Sequence, residues 1–373
     1  MGTSLHGPCF LMASFGKKSP SLAMYNLLPM KKSIPRLNLL GAVLSSALLC
    51  TVFSWSVCAQ SQVDQELDGR KRLFPEAGPG TTGLKRGPGG KYYVLESHSV
   101  LVFDADGKKL SEFPPPGTKG PSAILYGEAL DVDSEGRVYV ADRGRNMLRV
   151  YSPSGDTLLT VSFDAPTGIV ALSGGEFAAT SATSQHLLTI FNLKGEELRS
   201  FGDLIDTFDD EKFNRSVNIG RLNTDTAGNI YFLFKYLPEP TFRRYDRIGY
   251  AAEDISLTTL EFAPAAQARR REIKRQIDHG QTPELRASVS CMAIDPDTQR
   301  IWLALDNELI LLDPDGIIRA EYRAYAPSGA RVAPNSILVE PDRLLLTADP
   351  LGVYEFPRPD NDLKSAKPVP KQQ

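Results

Sequence analysis

An internal repeat is the feature that most limits what this chain can fold into. A run of β-branched and aromatic residues is followed five times by a tight turn, which ends at Gly107, Gly155, Gly195, Gly249 and Gly316. A sixth copy of the strand occupies residues 352–357. The turn glycines lie roughly 40 to 70 residues apart, and the shorter intervals suit one four-stranded blade of a β-propeller.

A second strand precedes each copy of the repeat. One such strand at residues 137–140 follows a turn at 133–136, and another at 229–232 follows a turn at 225–228. Polar residues combined with glycine favour tight hairpin turns. Each repeat therefore comprises four strands, named a to d in chain order, and the sequence predicts an all-β, six-bladed propeller.

The two ends of the repeat array complement each other. The sixth copy runs into Pro-Arg-Pro-Asp at 357–360 and lacks a strand d, whereas residues 68–74 resemble a strand d without a blade. They match residues 106–113 and 194–201, which are strands d of complete blades. We predict that this N-terminal strand closes the last blade, because closure removes an exposed sheet edge. Chance similarity in a charged linker is the alternative.

Residues 127–155 resemble an NHL repeat. They contain the pattern Asp-x-x-Gly-x-hydrophobic-Tyr-Val-Ala-Asp from Asp133 to Asp142, then Asn146 before strand c and Tyr151 within it. The resemblance covers roughly residues 68–357, with the other five units degenerate. It implies an exported propeller of the NHL or TolB-like kind. Such propellers include enzymes, ligand binders and scaffolds, so the resemblance implies a fold rather than a function.

Residues 30–59 have the layout of a secretory signal peptide. A basic stretch from Lys31 to Arg36 precedes an uncharged apolar run, and Val57 and Ala59 provide compact residues before a cleavage point. The alternative is a membrane anchor over residues 37–59, because the apolar run is long. Residues 1–29 show no fold pattern, and Met30 would be a natural start.

These patterns divide the chain into three parts. Residues 1–59 are a signal peptide or anchor, residues 60–360 are the propeller, and residues 361–373 are a disordered tail. We therefore expect an exported protein in the periplasm or outside the cell, with membrane contact only if the N-terminal segment is uncleaved.

Charge and cysteine content restrict the function classes. Five basic and no acidic side chains lie in residues 1–59, which leaves 37 basic against 45 acidic ones and a net charge of −8 for the rest. A general nucleic-acid binder needs a basic surface, so we expect no nucleic-acid partner. Only Cys291 lies beyond residue 59, and its strand-like surroundings predict a buried structural thiol.

The long connections of the predicted propeller fall on one face, called here the long-loop face. The b–c and d–a connections share this face, and the longest d–a connections span residues 114–126, 202–216, 262–286 and 326–334. Long loops on a rigid scaffold often carry function. We predict that this face binds a small-molecule ligand or a protein partner. Candidate residues in its b–c loops are Arg143, Arg145, Asn146 and His186.

One d–a connection contains a predicted helix over residues 264–279, with a proline near its start and Gly280 after its end. A narrow apolar stripe accompanies an otherwise basic surface. One interpretation is a solvated helix, whose charges pair with the acidic run at 206–211. The other is a basic lip that attracts an acidic partner. The residues of that lip are Arg270, Arg271, Lys274 and Arg275.

Evidence for catalysis is weak in the sequence. It contains no Gly-x-Ser-x-Gly elbow, no His-Glu-x-x-His motif and no glycine-rich phosphate loop. Some related propellers are calcium-dependent lactonases, and this resemblance implies Glu128, Asn218 and Asn335 as calcium ligands near the channel. The alignment of the blades offers no matching aspartate. We therefore expect no cofactor, with a Ca²⁺-dependent hydrolase as the alternative.

Overall fold

The computed structural model describes residues 65–78, 80–259, 262–348 and 352–359. The predicted signal peptide or anchor and the predicted C-terminal tail lie outside these ranges. Within them, no helix is long and apolar enough to cross a membrane.

Six small sheets form the six blades of a β-propeller, which confirms the predicted fold. Blade 1 comprises β3 (Gly83–Arg86), β4 (Tyr92–Leu95), β5 (Val100–Phe103) and β6 (Lys109–Phe113). Blade 2 comprises β7 (Gly127–Val132), β8 (Val138–Asp142), β9 (Met147–Tyr151) and β10 (Thr157–Ser162). Blade 3 comprises β11 (Pro166–Ala171), β12 (Glu176–Ser181), β13 (Leu188–Asn192) and β14 (Glu197–Phe201). Blade 4 comprises β15 (Gly220–Thr224), β16 (Ile230–Phe234), β17 (Thr241–Tyr245) and β18 (Ala251–Ser256). Blade 5 comprises β19 (Cys291–Ile294), β20 (Ile301–Leu305), β21 (Glu308–Leu312) and β22 (Ile318–Tyr325).

Blade 6 takes its strands from both ends of the array. It contains β23 (Ser336–Val339), β24 (Arg343–Ala348) and β25 (Gly352–Pro357), and its outer strand is β2 (Lys71–Leu73). Strand β2 pairs antiparallel with β25, with Lys71 opposite Glu355 and Leu73 opposite Val353. The predicted closure by residues 68–74 is therefore confirmed.

A further N-terminal strand was not predicted. Strand β1 (Gln65–Asp68) pairs in parallel with β22 and adds a fifth strand to blade 5. The backbone crosses to blade 6 at Gly69, where an added Cβ would lie 2.9 Å from the carbonyl oxygen of Tyr325. Leu67 is buried, so β1 contributes to the core as well as to the ladder. The segment 65–73 thus fastens two neighbouring blades.

Polar residues at the turns explain why the repeat folds as it does. At the a–b turn of blade 2, Oδ1 of Asp133 accepts hydrogen bonds from the backbone N–H groups of Glu135 and Arg137, and Tyr139 donates to Oδ2. Asp225 holds the corresponding turn of blade 4 in the same way. At the c–d turns the repeat glycines adopt positive φ, for example 85° at Gly107, which other residues rarely tolerate.

The core lies between the blades. Each strand a contacts the strand a of both neighbouring blades, and β23 contacts β3 to complete the ring. Alternating side chains of strands a to c fill the space between sheets, as in the cluster around Tyr139, Phe177 and Phe191. The innermost strands therefore surround a narrow central channel.

Two helices interrupt the d–a connections of the long-loop face within the described residues. Helix α1 (Glu211–Val217) was not predicted; its N-cap, Asp210, accepts a hydrogen bond of 2.6 Å from the N–H of Phe213. Helix α2 (Ala263–Asp278) confirms the helix predicted over 264–279, and its apolar residues Ala266 and Ile273 are buried. Both helices lie over the long-loop face, which they deepen.

Candidate functional site

A large depression lies on the long-loop face, beside α2. This groove has a volume of about 910 Å³ and runs between α2 and the b–c connection of blade 5 at Asp306 and Asn307. A second depression of about 470 Å³ shares Ala287, Asp306 and Asn307 with the groove and reaches Ser290 and Asn335. Together they form a path from the helix to the channel.

The position of α2 is fixed by one ion pair and two buried side chains. Arg270 donates from Nε and Nη2 to the carboxylate of Glu239 in the b–c connection of blade 4, at 2.6 and 2.5 Å. Ala266 and Ile273 pack beneath the helix. A paired guanidinium and an apolar underside together hold the helix as a fixed wall of the groove.

The rim of the groove carries both signs of charge. Glu284 pairs with Arg286 at 2.9 Å, and Glu308 lies 3.5 Å from Arg331. Asp306 is exposed between them. These charges are balanced, so the groove offers paired donors and acceptors rather than a strong field of one sign.

The predicted basic lip on α2 is mostly compensated by acidic neighbours. Arg270 binds Glu239, Lys274 lies 3.1 Å from Asp278, and Arg275 lies 2.7 Å from Glu272. Arg271 is exposed and has no ion pair within the described part of the chain. The acidic run at 206–211 supplies none of the carboxylates that pair with α2. The lip thus remains a prediction, with less free positive charge than the sequence indicates.

The b–c loop residues of the sequence analysis divide into two that hold loops in place and two that are exposed. Arg145 donates from Nε to the carbonyl oxygen of Ala123 at 2.7 Å, and Asn146 accepts from the N–H of Ala165 at 3.0 Å with φ at 55°. Both residues therefore stabilise loops. Arg143 and His186 are exposed on the long-loop face and could contact a ligand.

The structure places two of the three residues of the calcium alternative, Glu128 and Asn335, on the lining of the central channel. The Asn218 amide makes three hydrogen bonds, two to Ile205 and one to Asn214, and thereby holds the connection before β15. The Asn335 side chain is bonded to Thr81 and Thr347. No group of three or more His, Cys, Asp or Glu side chains that could hold a metal ion occurs in the described ranges.

Glu128 lies in a cluster that the sequence analysis did not find. Its two carboxylate oxygens lie 3.6 Å from Arg143 and 3.6 Å from Arg221, and its side chain is largely buried. Lys235 and Tyr236 from the b–c connection of blade 4 adjoin the cluster, with the Lys235 ammonium 5.5 Å from the Tyr236 ring centre. These residues surround the mouth of the central channel. They come from the strands a and the b–c connections of blades 2 and 4, so no local sequence pattern could group them.

Burial and neighbouring charge alter the titration of this cluster. Desolvation lowers the pKa of Lys235, and the charges of Arg221 and Arg143 lower it further. Desolvation also raises the pKa of the neighbouring Cys291 thiol to about 12, so this cysteine stays protonated and is no nucleophile. The mouth is therefore a desolvated region in which positive charge is costly.

A buried ion pair fixes one wall of the channel mouth. Asp142 is completely buried, accepts from the N–H groups of Leu125 and Tyr126 at 3.2 and 3.1 Å, and lies 3.1 Å from Nε of Arg149. These bonds hold the connection between blades 1 and 2 against the b–c loop of blade 2. As a result Leu125 and Tyr126 project into solvent beside the mouth, with 51% and 42% of their surfaces exposed.

Several solved structures resemble the chain. Virginiamycin B lyase from Staphylococcus aureus aligns with a TM-score of 0.50 at 13% identity, covering 77% of this chain and 98% of that protein. A streptogramin B lyase aligns with a TM-score of 0.50 at 14% identity over 77% and 86% of the two chains. The WD40 repeats of RRP9 align with a TM-score of 0.47 at 11% identity over 78% and 99%.

At these identities the two lyase alignments show a shared fold alone. No family model matches the sequence, and no curated protein has a matching sequence. The function must therefore be inferred from the site.

Proposed function

We propose that this protein is a binding propeller, whose groove between α2 and blade 5 takes an extended segment of a partner protein. The observation that carries the proposal is the groove itself, about 910 Å³ in volume and continuous with the depression at the channel mouth. Concave sites of this size on a rigid scaffold are the usual places of recognition. The balanced charges of its rim suit a polypeptide, which presents donors and acceptors along its whole length.

The NHL-like or TolB-like kind of propeller is part of this proposal. It rests on residues 127–155, in which Asp133 forms the a–b turn, Asp142 holds the preceding connection and Asn146 adopts the left-handed conformation before strand c. Export of the protein, with residues 1–59 as signal peptide or anchor, belongs to the same proposal and rests on the sequence alone. It would present the long-loop face to partners in the periplasm or outside the cell.

A pair of matched variants on α2 tests the groove. Ala268 is exposed and lines the groove, whereas the neighbouring Gln267 is exposed on the same helix and does not line it. We expect Ala268→Trp to fill the groove and to reduce the recovery of a specific partner at least tenfold, while Gln267→Trp retains it. Recovery is measured by quantitative mass spectrometry of proteins captured from the native source, with melting temperatures to confirm folding.

The proposal is contradicted if the two variants capture the same proteins in the same amounts. A reduction of equal size by both variants would also contradict it, because only one of them occupies the groove.

A further inference from the structure

The channel mouth contains more positive charge than the fold neutralises. Arg143, Arg221 and Lys235 lie around a single carboxylate, that of Glu128, and the 3.6 Å separations from the two arginines are longer than good hydrogen bonds. Tyr126, Tyr236 and Cys291 are the other titratable groups at the mouth. Burial raises the pKa of Tyr236 and that of Cys291, so neither supplies a negative charge at pH 7, and the three cations face the one carboxylate of Glu128.

One of these cations, Arg221, has a buried donor that no acceptor satisfies within the described residues. Nε of Arg221 is buried without a hydrogen-bond partner, although Nη1 of the same group donates to the carbonyl oxygen of Asn335 at 2.8 Å. Among the described residues the Lys235 ammonium has only the face of Tyr236 as a close contact. A buried donor without an acceptor destabilises a protein, because it has lost its hydrogen bonds to water. Such an arrangement indicates that a ligand supplies the missing acceptor.

Backbone hydrogen bonds hold Lys235 in place. The N–H of Lys235 donates to Ile219 at 3.0 Å, and its carbonyl oxygen accepts from the N–H of Ser288 at 2.9 Å. Lys235 is thus fixed between the connections that precede β15 and β19. Charges arranged in advance bind an oxyanion without a cost of reorganisation.

The space behind the cluster sets the size of the ligand group. The channel below Glu128 and Arg221 has a volume of about 60 Å³, lined also by Thr82 and Asn335. One water molecule occupies about 30 Å³ in the liquid. The channel therefore admits an end group and not a whole ligand, while Leu125 and Tyr126 offer apolar contact outside.

We propose that the channel mouth binds the oxyanionic end group of a ligand, a carboxylate or a phosphate, between Arg143, Arg221 and Lys235. Arginine forks and a lysine ammonium are the usual partners of such groups. This site is the opposite of the calcium alternative, since Glu128 would here repel the ligand rather than bind it. The site does not depend on the groove beside α2, so the two proposals can fail separately.

The test is a titration of the full chain with inorganic phosphate and, separately, with acetate, at constant ionic strength in chloride. The melting temperature reports binding through its saturable dependence on ligand concentration. We expect Lys235→Met and Arg143→Gln each to raise the dissociation constant about tenfold, as the loss of one charged hydrogen bond implies. Glu128→Gln is expected to strengthen binding, because it removes the competing carboxylate.

The matched control is Arg247→Gln, which removes an exposed positive charge from the c–d turn of blade 4 on the opposite face. We expect wild-type binding from it. Saturable binding of acetate alone would identify a carboxylate end group, and binding of phosphate alone a phosphate group. The proposal is overturned if neither anion binds, if Arg247→Gln loses as much affinity as Lys235→Met, or if Glu128→Gln abolishes binding.

Discussion

Lys235 carries a charge that its surroundings do not favour. The groups that face it are Arg221, Arg143, Glu128, Cys291 and Tyr236. Burial and the two guanidiniums lower its pKa, and the single carboxylate of Glu128 opposes this only in part. Residues that reduce stability are often retained because they serve binding. Lys235 fits that description.

Replacing Lys235 by Met should leave the free energy of unfolding unchanged at pH 7 or raise it, because the apolar stem remains and the buried charge is lost. The pKa of Lys235 is lowered from 10.5 on folding, so between the two values the unfolded state binds more protons. The stability contribution of Lys235 therefore rises with pH in this window. The difference between wild type and variant should shrink there, as measured by urea unfolding at several pH values. A variant that is less stable at every pH would contradict this account.

Cys291 illustrates a residue that local pattern assigned correctly. It is buried at the start of β19, and the structure confirms the predicted structural thiol. Desolvation is the cause of its raised pKa of about 12. Because the folded protein keeps the proton while the unfolded chain loses it above about pH 9, this residue reduces stability as the pH rises beyond that point.

At the scale of elements, the closure of the ring depends on a short strand and one aromatic side chain. Strand β2 has only three residues, yet Phe74 directly after it is 2% exposed. Its ring lies 5.2 Å from that of Tyr92 and 4.5 Å from that of Phe103 in blade 1. The closing segment thus joins the last blade to the first through packing as well as through its ladder.

Truncation of the N-terminus up to residue 74 should lower the free energy of unfolding by several kcal/mol, since burial of Phe74 alone contributes about 3–5 kcal/mol. A truncation up to residue 68 removes only β1, in which Leu67 is the one buried side chain. It should cost less, about 2–5 kcal/mol. Melting temperatures of the two truncated proteins and of Phe74→Ala provide the measurement. An unchanged melting temperature after the longer truncation would disprove closure as a source of stability.

A second set of contacts fastens the C-terminal end of the propeller. Arg358, directly after β25, forms a fully buried ion pair with Asp295 in the a–b turn of blade 5 and donates to the carbonyl oxygen of Glu340 at 3.0 Å. Arg358 therefore ties the last described residues back to blade 5, as β1 does from the N-terminal side. Both ends of the propeller are fastened at the same two blades.

At the scale of the whole molecule, the two faces differ in kind. The a–b and c–d turns are short, and several are held by their own aspartates, whereas both helices, the groove and the channel mouth lie on the long-loop face. Rigid turns on one side and long connections on the other concentrate binding on one surface.

The processing of the N-terminus is a prediction from the sequence alone. If residues 30–59 act as a signal peptide, Edman sequencing of the mature protein should begin at or near Gln60. A mature protein that still contains residues 39–57 would instead support the membrane anchor.

The sequence by itself determined the six blades, their turns, the N-terminal closing strand and helix α2. These features depend on contacts between residues that are close in the chain, such as Asp133 with Arg137, or on a repeated pattern. The family resemblance and the long-loop face follow from the same local signals.

Only the tertiary structure decided where charges meet. Arg143, Arg221 and Lys235 are far apart in sequence, and the ring brings them around Glu128 at the channel mouth. It also pairs Arg270 of the basic lip with Glu239, which comes from the b–c connection of blade 4. Long-range pairing of side chains depends on the closure of the whole ring, and no periodicity along the chain encodes it.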